Sequence, residues 1–182
     1  MGLLDFFKKR RTPLGNQLDD LTLPNMKAGY YVDYDMKTWQ ISARHHYDWG
    51  DGDITDEWQL KSHDQTIYLE CESDDEEIWS ISTKIQISQL EGGIVDHILK
   101  HGDPPEEIFF EGSAFFLEES AGGLFFKNGT PPGRELIKWD YSNKAGNRFV
   151  SIEQWGENEF EASTGQPAEP YQFTNILPSL QS

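Results

Sequence analysis

The stretch that decides the fold is Arg134–Pro178, RELIKWDYSNKAGNRFVSIEQWGENEFEASTGQPAEPYQFTNILP. Apolar and polar residues alternate along it, as in Ile137, Trp139 and Tyr141, then Phe149, Ile152 and Trp155, then Phe160 and Ala162. Alternation of this kind marks half-buried strands, so the stretch predicts three strands and a short terminal turn. An earlier stretch, Asp56–Thr83, superposes on it without a gap at an offset of 81 residues. Trp58 falls on Trp139, Tyr68 on Phe149, Glu72 on Glu153, Trp79 on Phe160, and Ser82-Thr83 on Ser163-Thr164. Self-similarity at a fixed spacing reads as a repeated unit. The expected fold is mainly β: two similar, small, antiparallel rolled sheets or barrel-like units, an internal duplication, joined by a short helix and packed through aromatic faces.

Outward from that stretch, the chain divides into an amphipathic basic segment at 1–11, a linker at 12–25 and a first β unit at 26–90. A connecting helix at 91–104, a second β unit at 105–178 and a tail at 179–182 complete it. In the first unit, Trp49-Gly50-Asp51-Gly52-Asp53 predicts a hairpin turn, because Asp-Gly supplies the positive φ angles of tight turns. Strands are expected near 54–62, 66–73 and 77–82. Ile94, Val95, Ile98 and Leu99 recur at helical spacing, and Gly102 with Pro104-Pro105 stops that helix. The second unit opens with IFFEG, SAFFLEES and AGGLFFKNG, which read as strands parted by glycine turns. Helices and strands do not alternate, which argues against doubly wound and α/β-barrel folds.

The 182 residues suffice for one sizeable core or two small ones. Hydrophobic residues make up 36%, and rings, at 13%, supply much of that area. A net charge of −17 argues against nucleic acid, whose phosphates need a cationic surface. It favours a basic protein face, a polyamine or a metal ion, or serves solubility alone. Cys71 is the single cysteine, so no intramolecular disulfide forms, and its alternating context predicts a buried, inert thiol. No apolar run reaches the length of a membrane span, and no secretory pattern opens the chain. A cytoplasmic protein, peripheral at most at the inner face of the membrane, is expected.

The first eleven residues, MGLLDFFKKRR, differ from the rest. Leu3, Leu4, Phe6 and Phe7 form an apolar cluster, and Lys8, Lys9, Arg10 and Arg11 follow at once. An amphipathic element with a basic flank suits an anionic membrane surface or a docking partner; a frayed terminus packed on the domain is the plainer alternative. A cation site would draw on Asp48, Asp51, Asp53, Asp56 and Glu57, or on Asp74, Asp75, Glu76 and Glu77. Both sets read better as solvated hairpin tips than as cation sites, and the first lacks the full calcium-loop spacing. His97 and His101 lie four apart on the expected helix without a metalloprotease pattern around them. Trp58, Trp139 and Trp155 read as core or cross-strand partners, and Glu72 and Glu153 as solvent-facing. No phosphate loop, nucleophile elbow or kinase signature is present, so no catalytic residue and no cofactor is assigned. A crevice holding carboxylates of strongly raised pKa would revive an enzymatic reading.

Three stretches together resemble a bacterial family of domain of unknown function 4178. They are GYYVDYDMKTWQISARHHYDWGDGDITDEWQL with TIYLE, WDYSNKAGNRFVSIEQWGENEFEASTG, and the closing YQFTNILP, spanning about residues 26–178. Members are typically encoded beside phage-shock protein A homologues, polyamine aminopropyltransferases and small membrane proteins. By that association the resemblance implies envelope stress or polyamine-linked physiology. The leading expectation is a non-enzymatic accessory or adaptor protein at the cytoplasmic membrane face. Its partner would be a phage-shock protein A homologue or another membrane-associated protein. The alternative is a soluble polyamine- or metal-cation-binding module, and the third an enzyme.

Overall fold

A computed structural model describes residues 21–73 and 76–179. The strands are β1 (Tyr31–Tyr34), β2 (Lys37–Gly50), β3 (Asp53–Lys61), β4 (Thr66–Ser73) and β5 (Glu77–Ile85). After helix α1 (Ile94–His101) come β6 (Glu107–Phe110), β7 (Ser113–Phe126), β8 (Arg134–Ser142), β9 (Phe149–Gly156), β10 (Glu159–Ala168) and β11 (Thr174–Leu177). All pairings are antiparallel, in the order β11-β1-β2-β3-β4-β5-β10-β9-β8-β7-β6, and β2 also pairs with β7. That last pairing closes eight strands, β2 to β5 and β7 to β10, into a ring. The mainly β architecture, with one α-helix among the described residues, matches the expectation. The two halves, however, are not separate rolled sheets packed through aromatic faces: hydrogen-bonded seams, β2–β7 and β5–β10, join them into one barrel.

Two bulges explain how one sheet serves two purposes. On β2 the register shifts between Ile41 and Ala43, so Ile41 lies opposite Leu60 but Ala43 opposite Gln59. An extra residue turns the following side chains to the other face. Trp39 and Ile41 therefore join an apolar cluster with Trp58, Leu60, Leu69 and Trp79, whereas His45 and Tyr47 share the face of Glu57 and Thr55. On β7 the register shifts likewise between Leu117 and Glu119. Phe115 thus joins a second cluster with Trp139, Tyr141, Val150, Ile152 and, from α1, Ile94 and Ile98. Two apolar cores lie against opposite parts of the sheet, with a polar barrel interior between them.

Trp58 and Trp139 are buried, as expected. Their indole N–H groups donate to the Met26 carbonyl oxygen at 2.9 Å and to Asp103 Oδ1 at 3.2 Å, tying each core to the chain that enters it. Cys71 is buried, and burial pushes its thiol up to about 11, fitting an inert role. The expected helix occupies Ile94–His101, inside the predicted span 91–104, with Gly93 and Gly102 left-handed at its two ends. The rings of His97 and His101 meet at a tilt of 39°, their centroids 4.5 Å apart, and no metal-competent cluster of His, Cys, Asp or Glu occurs among the described residues.

Three local expectations are corrected. Gly122-Gly123 is no turn but the middle of β7. There β2 comes so close that a Cβ on Gly123 would sit 2.5 Å from the Trp49 ring and 2.9 Å from the Asp48 carbonyl oxygen. Glycine inside a strand marks such an approach of backbones. The terminal turn is a 3-10 helix at Pro170–Gln172 followed by β11, which pairs with β1 and joins the two ends of the described chain. Finally, the gapless superposition slips in the middle. Trp58 lies opposite Leu69, but Trp139 lies opposite Ile152, so Glu70, not Glu72, takes the place of Glu153. The β8–β9 connection is longer than that of β3–β4 by two residues, a shift that keeps each side chain on its face and so hides in the alternation.

Candidate functional site

Every strand of the ring turns polar groups toward the interior, and the register sets who meets whom. Glu57 lies opposite Glu70, Glu153 opposite Glu161, and Lys138 opposite Glu153. Carboxylates directly opposite each other on a sheet repel. Two lysines relieve three of these four acids. Lys84 Nζ lies 2.9 Å from both Glu153 Oε2 and Glu161 Oε2, while Lys138 Nζ lies 3.3 Å from Glu70 Oε2 and 3.5 Å from Asp140 Oδ2. Burial works against both ammonium groups. The neighbouring carboxylates outweigh it, Glu153 and Glu161 for Lys84 and Asp140 and Glu70 foremost for Lys138, and both pKa values rise above the ordinary lysine value.

Glu57 is the acid left over. It is 4% exposed, and no lysine or arginine among the described residues pairs with it. Its Oε2 lies 3.2 Å from the Tyr47 hydroxyl, which also lies 3.3 Å from Glu153 Oε1. A phenol has one proton to donate. Both contacts are filled together when the phenol donates to Glu153 and a protonated Glu57 donates to the phenol oxygen. The electrostatics agree: burial, with Glu70 and Glu153 adding to it, pushes Glu57 up to about 8 against the pull of Lys84 and Tyr47. Burial, reinforced by Glu57, also raises Tyr47, which stays a neutral phenol.

From Glu57 the interior opens to solvent through a cleft of ≈ 370 Å³, walled by the rings of Tyr47, Tyr68, Phe125 and Trp155. An eight-stranded barrel is just wide enough for filling side chains or one small ligand. Phe125 meets Tyr47 at 5.0 Å and Trp155 edge-on at 5.2 Å, so the walls are fixed by ring packing. A buried group whose pKa is displaced toward neutrality, set in a cleft, is a functional-site candidate.

The residues expected to bind cations fall apart. Asp51 and Asp53 sit at the exposed β2–β3 hairpin tip, where Asp48 Oδ1 accepts the Gly50 N–H at 2.9 Å. Asp56 faces away from the barrel interior and pairs with Arg44 at 3.0 Å. Glu57, next in sequence, points the other way, as strand alternation requires. Glu76 and Glu77 are exposed, and Glu77 Oε2 accepts the Trp79 indole N–H at 3.2 Å. Asp74 and Asp75 lie outside the described residues, as do Leu3, Leu4, Phe6, Phe7, Lys8, Lys9, Arg10 and Arg11. Glu72 is exposed as expected, but Glu153 is not: it is 5% exposed and held by Lys84 and Tyr47. Sequence reasoning missed Tyr47, Glu70, Lys84 and Lys138. The available signal was a charge reversal beside the matched tryptophans, Glu57 before Trp58 and Lys138 before Trp139.

Over residues 27–170 the chain matches the family model described as Domain of unknown function (DUF4178). It is 25% identical over 182 residues to an uncharacterized protein of Aquifex aeolicus (strain VF5), covering 98% of this chain and 99% of that protein. No solved structure matches. No helix among the described residues is long and apolar enough to cross a membrane. With the match spanning all eight strands of the ring, the chain belongs to the DUF4178 family.

Proposed function

We propose that the protein is a non-enzymatic binding module whose barrel cleft takes a small organic ammonium, a polyamine or a related amine. The observation that carries this reading is Glu57, a buried carboxyl without a cationic partner among the described residues, at the inner end of an aromatic cleft. Ring faces attract ammonium groups, and a carboxylate below them fixes one. An organic cation suits the site better than a metal ion, because no metal-competent cluster forms among the described residues. An ammonium pairs with the ionised carboxylate, so binding at pH 7 expels the proton of Glu57. Titration calorimetry with spermidine and putrescine is expected to show heats that depend on the ionisation enthalpy of the buffer. Glu57→Gln is expected to weaken binding at least tenfold, and absence of heat at about 10 mM amine rejects the proposal. Glu57 also favours a second reading, since a carboxyl titrating near neutrality suits general acid–base chemistry. Conversion of a bound amine by the native chain but not by Glu57→Gln would mark an enzyme.

We propose separately that residues 1–11 act as the docking element of an accessory or adaptor protein at the inner membrane face. Support comes from sequence alone: four apolar residues precede four basic ones in a chain of charge −17. Removal of residues 2–11 is expected to abolish co-sedimentation with vesicles containing anionic lipid and capture of a phage-shock protein A homologue. Undiminished binding of both would sink this assignment.

A further inference from the structure

We infer that the ligand of the cleft is a zwitterion, carrying a carboxylate at the end opposite the ammonium that meets Glu57. The inference rests on the amine-binding reading and adds the chemistry of the other end. Eleven lysines and arginines occur among the described residues, and three of them, Lys84, Lys127 and Arg134, line this one cleft. Among the described residues only two acids line it, Glu57 and Glu161, although acids outnumber bases about twofold in the whole chain. Lys84 is consumed by Glu153 and Glu161. Arg134 is held by Glu159 and donates to the Trp155 carbonyl oxygen at 3.2 Å. Lys127 has no carboxylate within ion-pair distance among the described residues.

Two more groups at the cleft are donors. His45 Nδ1 accepts the Asn128 N–H at 2.8 Å, which leaves Nε2 to carry the ring proton. Burial, then the charge of Lys127, lowers the His45 pKa, so the ring is a neutral donor rather than a cation. The Trp155 indole N–H is the one buried side-chain polar atom among the described residues with no partner. Donors and positive charge therefore gather at the cleft around an acceptor the protein does not supply, while Glu57 faces it as the single unmatched acid. A carboxylate satisfies the first set and an ammonium the second. The cleft volume admits a molecule of amino-acid size.

The test is calorimetry of the full chain against a series of ω-amino acids, with diamines and simple carboxylic acids of the same chain length. The best ω-amino acid is expected to bind at least tenfold tighter than its diamine or its acid counterpart. Lys127→Gln, an exposed change that spares the fold, is expected to shrink the advantage over the diamine to threefold or less. A diamine that binds as tightly as the amino acid overturns the zwitterion and leaves the amine reading standing. An acid that binds as tightly, unaffected by Glu57→Gln, overturns both. No heat from any probe at about 10 mM also overturns both.

Discussion

Lys138→Met is expected to lower the free energy of unfolding by about 3–5 kcal/mol, the usual cost of removing one partner from a buried ion pair. Methionine fills nearly the same length of the barrel interior, so a cavity contributes little. What is lost is the ammonium that holds Glu70 and Asp140 at 3.3 and 3.5 Å, close to Glu72 and Glu153. Because the Lys138 pKa lies above its ordinary 10.5, this stabilisation is complete below that pH and fades only in stronger alkali. Urea unfolding checks it: the midpoint should fall with little change in slope. Adding Glu70→Gln should recover part of the loss, since it removes a charge left without a partner. A loss below about 1 kcal/mol would mean that water screens the pair, as at a surface.

Glu57→Gln is expected to act in the opposite direction, and in proportion to pH. The folded chain binds the Glu57 proton up to about 8, whereas the ordinary value is 4.5. Between those limits the folded state holds a proton that the unfolded state releases, so stability falls as pH rises through the window. The contribution is constant below 4.5 and above about 8. Integrated across the window, the loss reaches about 5 kcal/mol at most. Glutamine cannot ionise and escapes it. The stability difference between Glu57→Gln and the native chain should therefore widen from pH 4.5 to 8 and then level off. A difference that stays flat across that range would show that Glu57 ionises freely inside the barrel.

Much of the fold was legible because strands announce themselves by alternation. Trp58 and Trp139 marked two cores correctly, and the Asp51-Gly52 hairpin and the helix at Ile94 carried unambiguous local chemistry. The barrel interior was not legible for the same reason that the strands were. Alternation separates two faces without saying that the polar one is closed, so Glu153 reads as a solvent position when a ring has enclosed it. Ring closure depends on β2 meeting β7, a pairing between chain segments far apart, and Gly122-Gly123, of which Gly123 permits it, look like a turn when read locally. The bulges in β2 and β7 hid the site further. The β2 bulge moves Tyr47 and His45 to the side opposite Trp39 and Ile41, although all four occupy odd positions of one strand.

The two seams also fix the order in which the newborn chain can mature. The partners of Tyr47 on β7 and of Lys84 on β10 are translated long after them, and the Leu177 that pairs with Tyr31 comes later still. When β5 leaves the ribosome, three strand edges of the first half, on β1, β2 and β5, wait without partners, and such edges invite pairing with other chains. The acidic residues of this half carry like charge, which opposes association between neighbouring copies of the chain while those edges are bare.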